Sequence, residues 1–284
     1  MTETISHNKI RMGATPPSDV NQVGVVIKYE VLKYLRSKRL LGLIIIEALV
    51  LLLITVLPPL LGNDYATNAD AFINGYMSYV TILIVIGATL FAGDAIVSEF
   101  QGRTGYLLFP KPVKRSVLLA GKFIASAGAM FLVLIAYYLV ALLLGLAITG
   151  GFSTLGVESL LLAMLYSLAA LAVGYLISSV MKGATGALIL TFALFLFILT
   201  ILMGVLTVGG VEPWFLVNFA GGVVGYITQV PYPTSGVGDP GVGPQLSMNQ
   251  YIPDIGVSVA VMLTYLVVSL VLAYFFFKRR EMSA

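Results

Sequence analysis

Long apolar runs alternate with short polar segments along almost the whole of the 284-residue chain. A helix that crosses a bilayer needs about 20 predominantly apolar residues. Six runs meet this requirement, and they predict membrane-spanning helices at 40–61, 76–96, 117–148, 157–180, 186–208 and 256–277. The third run is longer than one crossing requires, so we expect its helix to tilt or to project beyond the membrane.

The composition strengthens this interpretation, since 59% of the residues are hydrophobic and only 10% are charged. An ordinary soluble domain is about 45–50% apolar and about 25% charged. In water much of this apolar surface would stay exposed, because even a chain of about 300 residues buries only about 75% of its unfolded surface. We therefore predict an all-α polytopic membrane protein and exclude a soluble enzyme.

The positions of Lys and Arg predict the direction of each helix. All 16 of these residues lie before the first span, between spans two and three or at the start of span three, between spans four and five, or after span six. The three opposite connections hold no Lys or Arg; their ionisable residues are Asp64, Asp70, Glu158, Glu212, Asp239 and Asp254. Because cytoplasmic segments carry the excess of positive charge, we predict that both termini are cytoplasmic.

The polar region before the first span divides into two parts. Residues 1–20 are expected to be a disordered cytoplasmic tail, and residues 21–284 a single transmembrane domain. Within residues 22–39, Ile27, Val31, Tyr34 and Leu35 fall on one helical face. This spacing predicts an amphipathic helix along the cytoplasmic membrane surface, with a plain basic anchor as the alternative.

The connection between spans five and six is much longer than the others. Residues 209–255 contain six prolines, but the first half of this external loop is too apolar for plain disorder. We expect two short helices there, re-entrant or lying on the membrane surface, with Trp214 and Tyr226 at the interface. The second half, 231–244, is expected to be an irregular Gly- and Pro-rich loop.

One carboxylate lies well away from the ends of a predicted span. Glu47 follows three isoleucines about two turns into the first helix. A charged side chain at mid-bilayer costs about 2.5–3.5 kcal/mol on insertion scales, so Glu47 should face protein or water. Two interpretations stay open: a polar element of the transport path or dimer interface, and a residue that is neutralised or paired with a basic side chain such as Lys122.

The segment 94–122, after the second span, carries the most specific pattern in the chain. We expect the second helix to continue through residues 94–101, which contain no Pro or Gly. A turn with two glycines follows, then the apolar residues 106–109, and Pro110 and Pro112 end any further helix. Such an exposed apolar segment is typical of a docking surface, although it would also suit a short helix packed on the spans.

This segment resembles the permease subunits of ABC-2 type transporters, especially the NosY-like permeases. The shared pattern is an acidic residue, a Thr, a Leu pair, a Pro-Val-x-Arg group and a later Gly-Lys pair. It is matched in order by Glu99, Thr104, Leu107, Leu108, residues 112–115 and residues 121–122. The chain departs from the pattern at Phe100, Arg103 and Gly105.

The resemblance implies that the segment after the second span docks into a separate ATP-binding subunit. Its ATPase-coupling residues would be Glu99, Thr104, Leu107, Leu108 and Arg115. The chain has no G-x-x-x-x-G-K-[ST] phosphate loop, because Phe123 follows the Gly-Lys pair. ATP and Mg are therefore expected on the partner. With no Cys and a single His, we expect no catalytic residue, cofactor or metal site in this chain.

The expected function is the permease subunit of an ATP-driven exporter, multi-pass in the plasma membrane of a prokaryote. Its expected partners are the ATP-binding subunit, a second permease copy or a related permease, and the lipid bilayer, without nucleic acid. One alternative is a secondary transporter or channel, but the chain shows one intramembrane carboxylate and no internal repeat. An intramembrane enzyme is less suitable, since G-x-S-x-G and H-E-x-x-H motifs are absent.

Overall fold

The structure of the chain is a computed structural model that describes residues 18–101, 114–237 and 249–280. In these ranges the helices are α1 (Asp19–Arg36), α2 (Lys38–Leu60), α3 (Ala69–Met77), α4 (Val80–Ala92), α5 (Val97–Gln101), α6 (Arg115–Thr149), α7 (Thr154–Val180), α8 (Ala184–Ala193), α9 (Leu199–Val208), α10 (Val217–Gly221), α11 (Val223–Tyr226) and α12 (Ile255–Arg279). A π-helical turn, Leu194–Ile198, joins α8 to α9. Strands β1 (Gly236–Val237) and β2 (Asn249–Gln250) form one short antiparallel ladder.

The six predicted spans are confirmed, since six helical segments of the described residues are long and apolar enough to cross a membrane. They are Lys38–Leu60, Ala69–Phe100, Arg115–Thr149, Thr154–Val180, Ala184–Val208 and Ile255–Arg279, numbered span one to span six. The largest difference from prediction is in span two, which begins at Ala69 rather than at residue 76. The Asn68 side chain accepts a hydrogen bond from the amide of Asp70 (3.0 Å) and so caps the helix at this earlier turn. Because this turn contains polar residues, the apolar pattern does not include it in the predicted span.

Span two is not one continuous helix. Residues 93–96 form a turn, so the prediction of an unbroken helix through residues 94–101 is wrong. The Ser178 hydroxyl of α7 accepts hydrogen bonds from the amides of Ile96 (2.9 Å) and Val97 (3.1 Å). Two backbone donors at the break are therefore satisfied by a helix more than 80 residues away in sequence, which the local pattern does not reveal.

Span four lies at the centre of the bundle and packs against spans two, three and six. Fully buried tyrosines fill the core around it, namely Tyr76, Tyr137, Tyr138, Tyr166 and Tyr175. Buried phenols need hydrogen-bond partners. Tyr138 has the Ser159 hydroxyl at 2.8 Å, and Tyr137 donates to the carbonyl of Tyr76 at 2.9 Å.

The first half of the loop between spans five and six forms two short helices, as predicted. The residues Val217, Ala220, Val223 and Val224 of α10 and α11 are fully buried. The Ser159 hydroxyl of span four donates to the Val224 carbonyl at 2.6 Å, which fixes this pair of helices on the bundle. Their re-entrant position in a bilayer stays a prediction.

The first half of the loop also contacts span five. Asn218 of α10 donates its side-chain amide to the Phe195 carbonyl in the π-helical turn at 2.6 Å. In the second half, predicted to be irregular, Gly236–Val237 pairs with Asn249–Gln250. Residues 238–248 between these strands lie outside the described residues.

Gly174 provides a test of the packing between spans two and four. A Cβ atom at this position would lie 2.8 Å from the Cβ of Ala92, and neither backbone can yield easily. We predict that Gly174→Ala lowers the free energy of unfolding by about 1–3 kcal/mol, as overpacking does. Gly204→Ala is the matched control, because a Cβ there meets nothing within 4 Å. In thermal unfolding of the two purified variants, the melting temperature should fall for Gly174→Ala and rise for Gly204→Ala. Equal melting temperatures would contradict the prediction.

Candidate functional site

The described residues on either side of the segment 102–113 lie where α1, α5, α6 and the end of α12 come together. Residues 102–113 are outside the described residues, and three predicted coupling residues, Thr104, Leu107 and Leu108, lie among them. The other two, Glu99 and Arg115, flank the segment and are described. Their surroundings show how the segment is attached to the bundle.

Helix α1 packs on α6 through a stripe with four-residue spacing, Val26, Glu30 and Tyr34. A Cβ atom on Gly121 would lie 2.6 Å from the Val26 side chain, so the close approach requires glycine there. Tyr34 is buried and donates its hydroxyl to the Phe91 carbonyl at 3.1 Å. Burial raises the pKa of the Tyr34 phenol, so the hydroxyl keeps its proton and can donate.

The predicted amphipathic helix is therefore present, but its buried face differs from the prediction. Ile27 and Val31 pack against the core as expected, whereas Leu35 is 58% exposed. Glu30, which the wheel places away from the apolar residues, turns inward and forms an ion pair with Lys122 of α6. The helix is held by a buried charge as well as by apolar contacts.

Lys122 is the centre of this charged cluster. Its ammonium contacts one carboxylate oxygen of Glu30 and one of Glu99, the latter at 2.6 Å. The side chains are only 7%, 12% and 16% exposed, respectively. The ammonium of Lys33 lies 3.3 Å from the Glu30 carboxylate, so the four side chains sum to zero charge. The cluster joins α1, α5 and α6 at the point where the chain enters the segment 102–113.

Arg115 anchors the other end of the segment to the end of span six. Its Nη1 atom donates to the carbonyls of Phe277 (2.7 Å), Lys278 (2.7 Å) and Arg280 (2.8 Å). The last carbonyls of a helix have no partner within the helix, so a guanidinium is well suited to this place. Arg115 thus caps α12; the role in ATPase coupling that the resemblance implies for it stays a prediction.

An aromatic contact adds to this attachment. The ring of Phe100, directly after Glu99, lies edge to face with Phe277 at 6.1 Å between centroids. The Arg280 guanidinium lies over the Phe100 ring at 4.3 Å and approaches the carbonyls of Ser178 and Ser179 at the end of α7, each at 3.4 Å. The ends of spans two, four and six therefore meet around Phe100, two residues before the segment 102–113.

A second ion pair ties the start of span one to the turn in span two. Arg39 donates to both carboxylate oxygens of Asp94 at 2.8 Å, a bidentate geometry. Sequence analysis assigned no role to Glu30, Arg39 or Asp94. The available signal was Glu30, the one acidic residue of the otherwise basic segment 22–39, but its partner Lys122 becomes visible only when α1 and α6 are side by side.

Glu47 lies away from this cluster, within span one. It is 4% exposed, and its Oε1 atom has no hydrogen-bond partner among the described residues. Pairing with Lys122 is wrong, because Lys122 binds Glu30 and Glu99. Glu47 shares the buried face of α2 with Leu43 and Leu51. Among the described residues no group of His, Cys, Asp or Glu is arranged to hold a metal ion.

Comparison with known proteins identifies the family of the chain. Residues 25–282 match the family described as ABC-2 family transporter protein. The chain is also 28% identical over 285 residues to a probable ABC transporter permease protein NosY from Stutzerimonas stutzeri, a match that covers 92% of this chain and 99% of that protein. The resemblance predicted from the segment 94–122 is confirmed.

Replacing Lys122 tests the charged cluster. We predict that Lys122→Met lowers the free energy of unfolding by about 3–5 kcal/mol, because it removes the buried ammonium that both the Glu30 and the Glu99 carboxylates contact. The control is Lys114→Met, which breaks a pair with Asp19 whose side chains are 67% and 53% exposed. That change should cost at most about 1 kcal/mol.

The measurement for both variants is thermal unfolding of the purified chain in detergent. Adding Glu30→Gln and Glu99→Gln to Lys122→Met removes the two negative charges that Lys122 neutralised, so the triple variant should regain part of the lost stability. If Lys122→Met unfolds at the same temperature as Lys114→Met, the cluster is not the constraint described here.

Proposed function

Since the chain belongs to the ABC-2 family of transporter proteins, we propose that it works as the permease of an ATP-driven exporter. It is the membrane subunit of an ABC transporter, and in this proposal a separate ATP-binding subunit docks on the segment 102–113. ATP and Mg bind to that partner, and the permease itself performs no chemistry. Nucleotide binding and hydrolysis drive the helices between two arrangements.

The observation that carries this proposal is the anchoring of both ends of the segment 102–113. The chain before the segment is held by the ion pair between Glu99 and Lys122 and by the ring contact between Phe100 and Phe277. The exit is held by Arg115 on the carbonyls at the end of α12. A displacement of the segment would therefore reach spans two, three and six directly, and α1 through Glu30.

The anchoring gives the five predicted coupling residues different roles. In this proposal Thr104, Leu107 and Leu108 form the surface that meets the ATP-binding subunit. Glu99 and Arg115 act as positioning residues, because their charged groups bind partners within this chain. ATP shifts the equilibrium only in so far as it binds one arrangement of the complex more tightly than the other.

The proposal also includes orientation and assembly. Both termini are assigned to the cytoplasm of a prokaryotic cell because all 16 Lys and Arg residues lie on that side of the six spans. The most apolar windows of spans one and five are only 22% and 17% buried within the chain. These faces are available to lipid and to a second permease, either another copy or a related chain.

Docking of the ATP-binding subunit is tested by Leu107→Asp together with Leu108→Asp. Two carboxylates in an apolar contact would be left desolvated, so we predict that the ATP-binding subunit no longer co-purifies with the permease. The matched control is Leu60→Asp with Leu61→Asp, an exposed leucine pair at the opposite end of span one. Retention of the ATP-binding subunit by the first variant would show that docking lies elsewhere.

Glu47 is tested by Glu47→Gln, which removes the charge and keeps the shape. We propose that its buried carboxylate belongs to the transport path or to an interface, so the variant should insert and assemble normally but transport less. The measurement is complementation of a strain that lacks the permease, with co-purification of the ATP-binding subunit as the assembly check. Glu158→Gln, an exposed acid at the external end of span four, is the control. Full complementation by Glu47→Gln would leave only the interpretation of a neutralised residue.

A further inference from the structure

A groove of about 380 Å³ lies between α6 and α12, near the end of the bundle that carries the charged cluster. Ser116, Ala120 and Phe123 of α6 line one side, and Leu270 and Tyr274 of α12 line the other. The wall is almost entirely apolar, and Ser116, Ala120 and Tyr274 are exposed. The groove therefore opens on the outer surface of the chain, where a membrane protein meets lipid.

Positive charge stands at one end of this groove. Leu270, Tyr274 and Lys278 follow each other at four-residue spacing on α12, so Lys278 continues the stripe that lines the groove. The carbonyl of Lys278 accepts a hydrogen bond from Arg115 at 2.7 Å, which places Lys278 beside the first turn of α6. Lys278 is exposed, and no carboxylate of the described residues forms an ion pair with it.

The start of α6 adds a second feature that favours an anion. This helix has 35 residues and no side chain caps its first turn, since Lys114 stands at the capping position. The N-terminus of a helix carries a partial positive charge, and its free N–H groups favour phosphate oxygens. The backbone and hydroxyl of Ser116 lie in that first turn, at the same end of the groove as Lys278.

We propose that the groove binds one anionic phospholipid of the cytoplasmic leaflet. Its phosphate lies at the first turn of α6 beside Ser116 and Lys278, and one acyl chain runs along Ala120, Phe123 and Leu270. The apolar wall accepts the chain of any phospholipid, whereas the basic end selects for a negative headgroup. Tyr274 lies between the two regions, as is usual for tyrosine at a membrane interface.

The charge at the groove argues against a second copy of this chain as its occupant. A symmetric contact through this face would bring the same residues together, so Lys278 would be buried near its own equivalent. Burying an unpaired ammonium is costly, and the lining residues of the groove supply no carboxylate. An anionic headgroup provides the missing counter-charge and stays in contact with water.

The test uses native mass spectrometry of the full chain in mild detergent. Dioleoyl phosphatidylglycerol is added to one sample and dioleoyl phosphatidylcholine, with identical acyl chains, to another. We expect tighter binding of phosphatidylglycerol, and Lys278→Gln should weaken it about fivefold while leaving phosphatidylcholine unchanged. Ala120→Trp, which fills the groove, should weaken the binding of both lipids.

Two control variants separate this groove from general effects of charge and bulk. Lys182→Gln removes another exposed basic residue from the same side, and Leu132→Trp adds bulk on an exposed position of the same helix. Both should bind lipid as the unaltered chain does. Equal binding of the two lipids, or no effect of Lys278→Gln, would overturn the proposal. So would a dimer of the unaltered chain that Ala120→Trp converts to a monomer, because the groove would then hold a second copy of the chain. If Ala120→Trp does not fold, as judged by size-exclusion chromatography, the effect of Lys278→Gln on phosphatidylglycerol binding still tests the proposal.

Discussion

A lysine ammonium can be buried at the edge of a membrane protein only where carboxylates neutralise it, and this requirement organises one end of the bundle. Lys122 is almost completely covered, and Glu30 and Glu99 are its partners. These acids come from α1 and from the end of span two, and both meet span three at the Lys122 ammonium. Removing either acid leaves uncompensated charge, so α1 and the end of span two must both stay against α6.

The same cluster changes the interpretation of the sequence pattern after span two. The resemblance implies that Glu99 takes part in coupling to a partner subunit, and it includes the Gly121–Lys122 pair only as part of the matched pattern. In the structure Gly121 admits Val26 of α1, and Lys122 binds Glu99, so these residues attach the segment to its own bundle.

The polar groups at the two ends of the bundle find their partners in different ways. At the basic end, charged groups pair with each other or with the carbonyls at helix ends, as Arg115 does on α12. At the opposite end of span four, the Ser159 hydroxyl meets the Tyr138 phenol and the Val224 carbonyl. Glu47 is the exception, since its buried Oε1 atom has no partner among the described residues. A buried carboxylate oxygen without a partner is costly in the core, and the role proposed for Glu47 would account for that cost.

The sequence by itself determined the class of protein, the six spans and the family. These follow from apolar runs long enough to cross a bilayer and from a short motif, both of which are local features. It also indicated two short helices in the loop after span five, because their residues are too apolar for an exposed loop. Segments 1–17 and 102–113, which include Thr104, Leu107 and Leu108, lie outside the described residues, and predictions about them stay predictions.

Only the tertiary structure decided which polar groups meet. The break in span two depends on Ser178, and the pairing of Lys122 depends on Glu30, which lies 92 residues away. The pattern of apolar residues placed Glu30 on the wrong face and Leu35 on the buried one, because a helical wheel ranks side chains by hydropathy. It takes no account of a buried countercharge on a neighbouring helix, and that long-range ion pair sets which face of α1 turns inward.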